Sequence, residues 1–120
     1  MRYLILIAIF FISLSDTKEI IGTATYYNTK PHSRIHKEHS TAAYYGWKHI
    51  GKFLEITNLS NGRVDTVEVT DKHGCSHTHV DLKEESFYKL ISERSITKLD
   101  KQAYLEMRRI GKLKVKIKIL

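Results

Sequence analysis

The stretch KFLEITNLSNGRVDTVEVTD, residues 52–71, decides the fold. Two β-rich runs, 52–59 and 64–70, flank Ser60-Asn61-Gly62-Arg63, and Asn-Gly is the strongest short hairpin signal because both residues tolerate positive φ. The two runs are therefore expected to pair antiparallel. Side chains alternate along a strand, so Val67 and Val69 share a face with Asp71, while Thr66, Glu68 and Thr70 take the other. This parity places Asp71 at the end of an inward-facing row.

Working outward, residues 20–27 are rich in Thr, Tyr and Ile and read as a strand, with Gly22 near its start. Residues 28–40 are polar, hold the single proline, Pro31, and read as a loop. After a histidine-rich stretch over 72–79, Val80-Asp81-Leu82 reads as a short strand that feeds a helix starting near Glu84, whose Phe87, Leu90 and Ile91 form one apolar stripe. A second helix is expected over 98–109, with Leu99, Ala103, Met107 and Ile110 on one side and Gly111 past its end. Residues 112–119 alternate lysine with Leu113, Val115, Ile117 and Ile119, a period of two that predicts a strand with a cationic outer face. No tandem repeat is visible, although a closed barrel can hide a two-fold pattern of strands.

The length of 120 residues suits one domain and excludes a separate dinucleotide-binding or substrate module. Residues 1–15 have the parts of a secretory signal: Arg2, an apolar run from Tyr3 to Ile12, then Ser13 and Ser15 ahead of Asp16. Cleavage after Ser15 is expected, leaving a domain over 16–120 in the periplasm or cell wall. The apolar run is about half of the roughly 20 residues a spanning helix needs, so no stable membrane insertion is expected. Cys75 is the single cysteine, which excludes an internal disulfide. Twenty basic against 13 acidic side chains give a charge of +7, or +6 once Arg2 is removed. That balance suits a polyanionic partner, while export argues against nucleic acid; a monomer is expected.

Asp71 and Asp81 are the best chemical pair. Cleaving a glycosidic bond requires a proton on the leaving oxygen, and a sugar's own 6-hydroxyl can then attack, so one protonated carboxyl suffices. The competing reading has Asp71 capping a turn and Asp81 favoured as an acid ahead of a helix. The run His73-Gly-Cys-Ser-His77-Thr-His79 carries metal-ligand residue types but matches no structural zinc spacing, so the expectation is a loop that meets sugar hydroxyls, with no metal and no cofactor. Tyr26, Tyr27, Tyr44, Tyr45 and Trp47 offer rings on which the apolar faces of sugars stack, about half of them expected in the core. The lysines at 112, 114, 116 and 118 suit an anionic wall polymer or simple edge protection.

The order of the segments resembles the double-psi β-barrel family of rare lipoprotein A, shared with expansins and barwin-like proteins. The pieces that carry the resemblance are Gly22-Thr-Ala-Thr-Tyr-Tyr27, Thr41-Ala-Ala43, Ile56-Thr-Asn-Leu-Ser-Asn-Gly-Arg63, Val67-Glu-Val-Thr-Asp71, Val80-Asp-Leu82 with Phe87, and the closing run from Gly111. The turn Asp71-Lys72-His73-Gly74-Cys75 looks closer to the expansin and barwin pattern. The resemblance implies a mainly β, six-stranded double-psi β-barrel with one or two short helices. It implies a cell-wall polysaccharide as partner and two open readings: a peptidoglycan lytic transglycosylase, or an expansin-like protein that binds or loosens polysaccharide without hydrolysis. A barwin-like or inhibitory binding module is a third. Carried over by position, Asp81, Asp71 and Glu38 are the catalytic candidates. Tyr26, Tyr27, His73 and Trp47 are the substrate-binding candidates.

Overall fold

The turn at 60–63 closes as the Asn-Gly pair predicts: Gly62 adopts φ 77°, and its N–H donates to the Asn58 carbonyl at 2.8 Å. Around this hairpin the computed structural model, which describes residues 18–27, 39–96 and 98–120, places six strands: β1 (Lys18–Tyr27), β2 (Thr41–Tyr45), β3 (Phe53–Asn58), β4 (Val64–His73), β5 (His79–Lys83) and β6 (Leu113–Ile119). They close into a barrel in the order β1-β5-β2-β4-β3-β6. The β1–β5 and β2–β4 pairs are parallel and the other four antiparallel. Exchanging β1 with β4, β2 with β5 and β3 with β6 maps this order and every pairing onto itself. The two-fold pattern is thus present in the pairing although the sequence shows no repeat. The signal expected over 1–15, and Glu38, lie outside the described residues.

The interior is filled by the inward residues of the strands, among them Ala24, Tyr44, Leu54, Ile56, Val69, Leu82 and Ile117, all fully buried. Helix α1 (Glu84–Ile91) packs on the barrel through Phe87 and Leu90, with Ile91 at the margin of the core. Its last carbonyls, which have no partner within the helix, are met by the hairpin: Asn58 and Asn61 donate to the Leu90 carbonyl at 2.8 and 3.0 Å, and Arg63 Nε donates to that of Lys89 at 2.6 Å.

Helix α2 (Lys101–Ile110) begins three residues later than expected because Asp100 caps it, accepting from the Ala103 N–H at 2.8 Å, and is itself gripped by Arg94 at 2.5 Å. Ala103 and Met107 are buried as the stripe predicts, whereas Ile110 is exposed near the helix end. Strand β1 starts two residues earlier than its β propensity suggests, since Lys18 finds a partner in Ile119. The stretch 72–79 is only partly a loop, because β4 runs through Lys72 and His73 and β5 opens at His79.

One expectation is reversed. Between β2 and β4 the register jumps, with Ala42 opposite Val69 but Ala43 opposite Asp71. Thr70 is therefore an extra residue, a β-bulge that shifts side-chain parity by one. Asp71 leaves the inward row of Val67 and Val69 and lies exposed on the outer face.

Candidate functional site

Val80 and Leu82 point into the barrel, so His79, Asp81 and Lys83 must face outward from β5. On β1 the buried Ala24 leaves Thr23, Thr25 and Tyr27 on the same outer face. The register then aligns Thr25 with Asp81, Asp81 with Ala43, and Ala43 with Asp71, one outward row crossing four strands. Two strand spacings set the Cα atoms of the two aspartates roughly 10 Å apart, with nothing larger than a methyl group between them. The bulge at Thr70 is what completes this row.

Asp81 is held by a directed chain of hydrogen bonds. Thr25 Oγ1 donates to Asp81 Oδ1 at 3.0 Å. That hydroxyl has one hydrogen, so at its 3.0 Å contact with His79 Nε2 it accepts, which assigns the ring proton to Nε2. Nδ1 of the neutral ring is then the acceptor, and Thr23 Oγ1 donates to it at 3.0 Å. The order runs Thr23 to His79 to Thr25 to Asp81. Burial pushes the His79 imidazole below its ordinary value, with His73 and Lys112 adding to the fall and Asp81 opposing it, which suits the neutral form that the chain requires.

Gly22 makes this approach possible. A Cβ there would lie 1.8 Å from the Thr78 carbonyl oxygen, and the neighbouring Thr23 N–H donates to that same oxygen at 2.9 Å. Only glycine lets β1 run so close to the turn that delivers His79.

His73 supports β5 from the other side. The Cys75 N–H donates to its Nδ1 at 3.2 Å, so Nε2 carries the proton and donates to the His79 carbonyl at 2.8 Å. Tyr27 lies at the opposite end, its hydroxyl reaching across β5 to Thr41 Oγ1 at 3.0 Å. Burial raises the Tyr27 phenol above its ordinary value; the negative charges of Asp81 and Asp71 add to the rise against the opposing hydrogen bond with Thr41. The phenol thus feels both aspartates.

The structure brings together Asp81, Asp71, Tyr27 and His73 of the residues expected from sequence. Tyr26 is set apart: its ring packs against Phe87 at 4.8 Å between centroids, on the core side of β1. Trp47 is 72% exposed and lies under the ammonium of Lys72, the residue after Asp71 in β4, 4.4 Å from the ring centroid. Tyr45, exposed and paired with His73, puts a ring on β2 two residues beyond Ala43. Among the described residues no three His, Cys, Asp or Glu side chains are arranged to hold a metal ion. Thr23, Thr25, His79 and Ala43 were not expected in these roles. The alternation Thr23-Ala24-Thr25 and His79-Val80-Asp81 was visible, but only the parallel register between the two strands makes it a chain.

No protein-family model and no curated protein matches the sequence. Solved structures with the same fold include the apo expansin of Clavibacter michiganensis, with a TM-score of 0.62 at 21% identity over 86% of this chain and 50% of that one. An aspartate-to-asparagine mutant of the Clavibacter michiganensis expansin in complex with cellohexaose matches with a TM-score of 0.59 at 22% identity over the same shares. This chain has their expansin-like barrel and spans half the length of those proteins.

Proposed function

We propose that the outer face of β1, β5, β2 and β4 is a groove that binds a polysaccharide strand, in the manner of an expansin and without bond cleavage. The outward row Thr25, Asp81, Ala43 and Asp71 carries this reading. The carboxylates and hydroxyls offer hydrogen bonds to sugar hydroxyls, the methyl of Ala43 leaves depth between them, and the exposed rings of Tyr45 and Trp47 give apolar faces for stacking. The cellohexaose bound to an expansin of the same fold supports a glycan as the ligand. Export through the signal at 1–15 to the periplasm or cell wall belongs to this reading, since that is where such polymers lie.

A cleaving version, a peptidoglycan lytic transglycosylase, rests on Asp81 alone among the described residues. Its Oδ1 accepts from Thr25, and its second oxygen would have to carry a proton to the glycosidic oxygen. Against a leading role for Asp71 stands its use as a backbone acceptor within β4, with the Lys72 N–H on its Oδ1 at 2.8 Å.

Co-sedimentation separates these readings. The chain is mixed with insoluble cellulose and with peptide-stripped peptidoglycan, and the supernatant is analysed by mass spectrometry. Retention on a glycan without released fragments is expected, and the double variant Tyr45→Ala with Trp47→Ala should stay in solution. No retention on either polymer would overturn the proposal. Anhydro-muramyl products that vanish in Asp81→Asn would replace it with the transglycosylase reading.

A further inference from the structure

Just past the end of β2, the one-turn 3-10 segment Trp47–His49 and the start of β1 border a cavity of about 390 Å³. Lys18 from β1, Lys48 from the turn and Lys52 ahead of β3 all line it, and no aspartate or glutamate does so among the described residues. His49, also in the lining, is 8% exposed, and its buried Nδ1 has no hydrogen-bond partner among the described residues. That atom is closed to solvent, so the ring borders the cavity without presenting Nδ1 to it. The Tyr44 hydroxyl donates to the His77 carbonyl and makes no bond to His49 Nδ1.

The backbone of the turn is fixed before any ligand arrives. Gly51 N–H donates to the Val69 carbonyl at 2.8 Å, Lys52 N–H to that of His49 at 2.9 Å, and the Tyr44 ring meets the His49 ring edge-on at 5.1 Å. Burial lowers the His49 imidazole below its ordinary value, and the charges of Lys48, Lys52 and Lys18 lower it further. All three ammonium groups are therefore felt at the ring. Cations approaching from three separate segments suit the tetrahedral oxygens of a phosphate ion, or the successive charges of neighbouring diesters in a polymer, rather than a single carboxylate with two oxygens in one plane.

We propose that this cavity is an oxyanion site for a phosphate group, taken either as free phosphate or as the phosphodiester of an anionic polymer, with Lys18, Lys48 and Lys52 supplying the charge and the His49 ring, in its wall, sensing it. None of Thr25, Asp81, Ala43 and Asp71 lines this cavity, although Tyr45 does, and the site stands whether or not that row binds glycan.

The test is a titration of the whole chain with inorganic phosphate at constant ionic strength, which holds general screening fixed, while the His49 ring is followed by NMR. A saturable shift of His49 is expected, together with a rise in its pH midpoint, because a bound anion favours the imidazolium. The double variant Lys48→Gln with Lys52→Gln should bind about tenfold more weakly, and Lys48→Arg with Lys52→Arg should bind as the parent does. Both lysines are exposed, so each variant should keep the parent's melting temperature. Added poly(glycerol phosphate) that displaces phosphate from His49 would identify the polymer as the source, and failure to displace it would identify the free ion. A His49 shift that never saturates, or one unchanged in the glutamine variant, would overturn the proposal.

Discussion

Ala43 matters for what it lacks, since any larger side chain at that point would fill the gap between Asp81 and Asp71. Ala43→Leu should therefore abolish retention on polysaccharide while shifting stability by about 0.5 kcal/mol or less, as outer-face substitutions generally do; co-sedimentation beside a urea melt checks both halves. Acidification should act through two imidazoles, the buried His49 and the half-buried His79. His49 and His79 are both held below their ordinary value by burial, so the unfolded chain binds their protons more tightly than the folded one. Their contribution is complete above the unfolded value of about 6.5 and is lost as pH falls through the folded values. Urea midpoints at about pH 7.5 and about pH 5 should show the chain weaker at the lower pH, and equal midpoints would contradict this. At this scale the sequence was a partial guide. Asp81 faces outward by simple alternation against Val80 and Leu82, but Asp71 was assigned the wrong face because a bulge at Thr70 leaves no mark in composition. Tyr26 and Tyr27 are adjacent, so alternation sends one to the core and one to the groove without saying which; the contact with Phe87 decides it.

Among the elements, the hairpin and β6 were legible because each has one buried and one exposed face, which writes a period of two into the residues. Strand β2 was not legible by that route: Thr41, Ala42 and Tyr44 are all buried, so its five residues carry no clean alternation. Only its place in the resemblance pointed to it. The β1 strand depends on Gly22, and Gly22→Ala should cost about 1–3 kcal/mol or more, because the new Cβ would meet the Thr78 carbonyl and push β1 off the turn before β5. The loss should appear as a lower melting temperature together with weaker glycan retention, since His79 moves with that turn. Helix α1 depends on Asn58, whose buried amide caps the Leu90 carbonyl. Asn58→Ala should destabilise by about 1–3 kcal/mol in chemical denaturation, leaving the groove's binding constant as it was; a loss of binding without a loss of stability would contradict the structural role.

For the whole molecule, closure rests on β6, which pairs with both β1 and β3. Deleting 113–120 removes two of the six strand pairings and opens the barrel along its length, so circular dichroism should show no cooperative melt; a sharp transition would mean that the remaining strands close without it. The exchange symmetry of the pairing also has a kinetic consequence. Neither half of the chain, β1 to β3 or β4 to β6, contains a parallel pair of its own, because β1 waits for β5 and β2 for β4. The joining pair of Lys18 and Ile119 is separated by 101 positions along the chain. Contacts so distant in sequence slow folding to the millisecond-to-second range typical of such topologies. A chain that emerges from any narrow exit with its N-terminal end first thus presents β1 with both edges unpaired until residues 79–83 follow. Its native state forms late and all together, after the last strand is free.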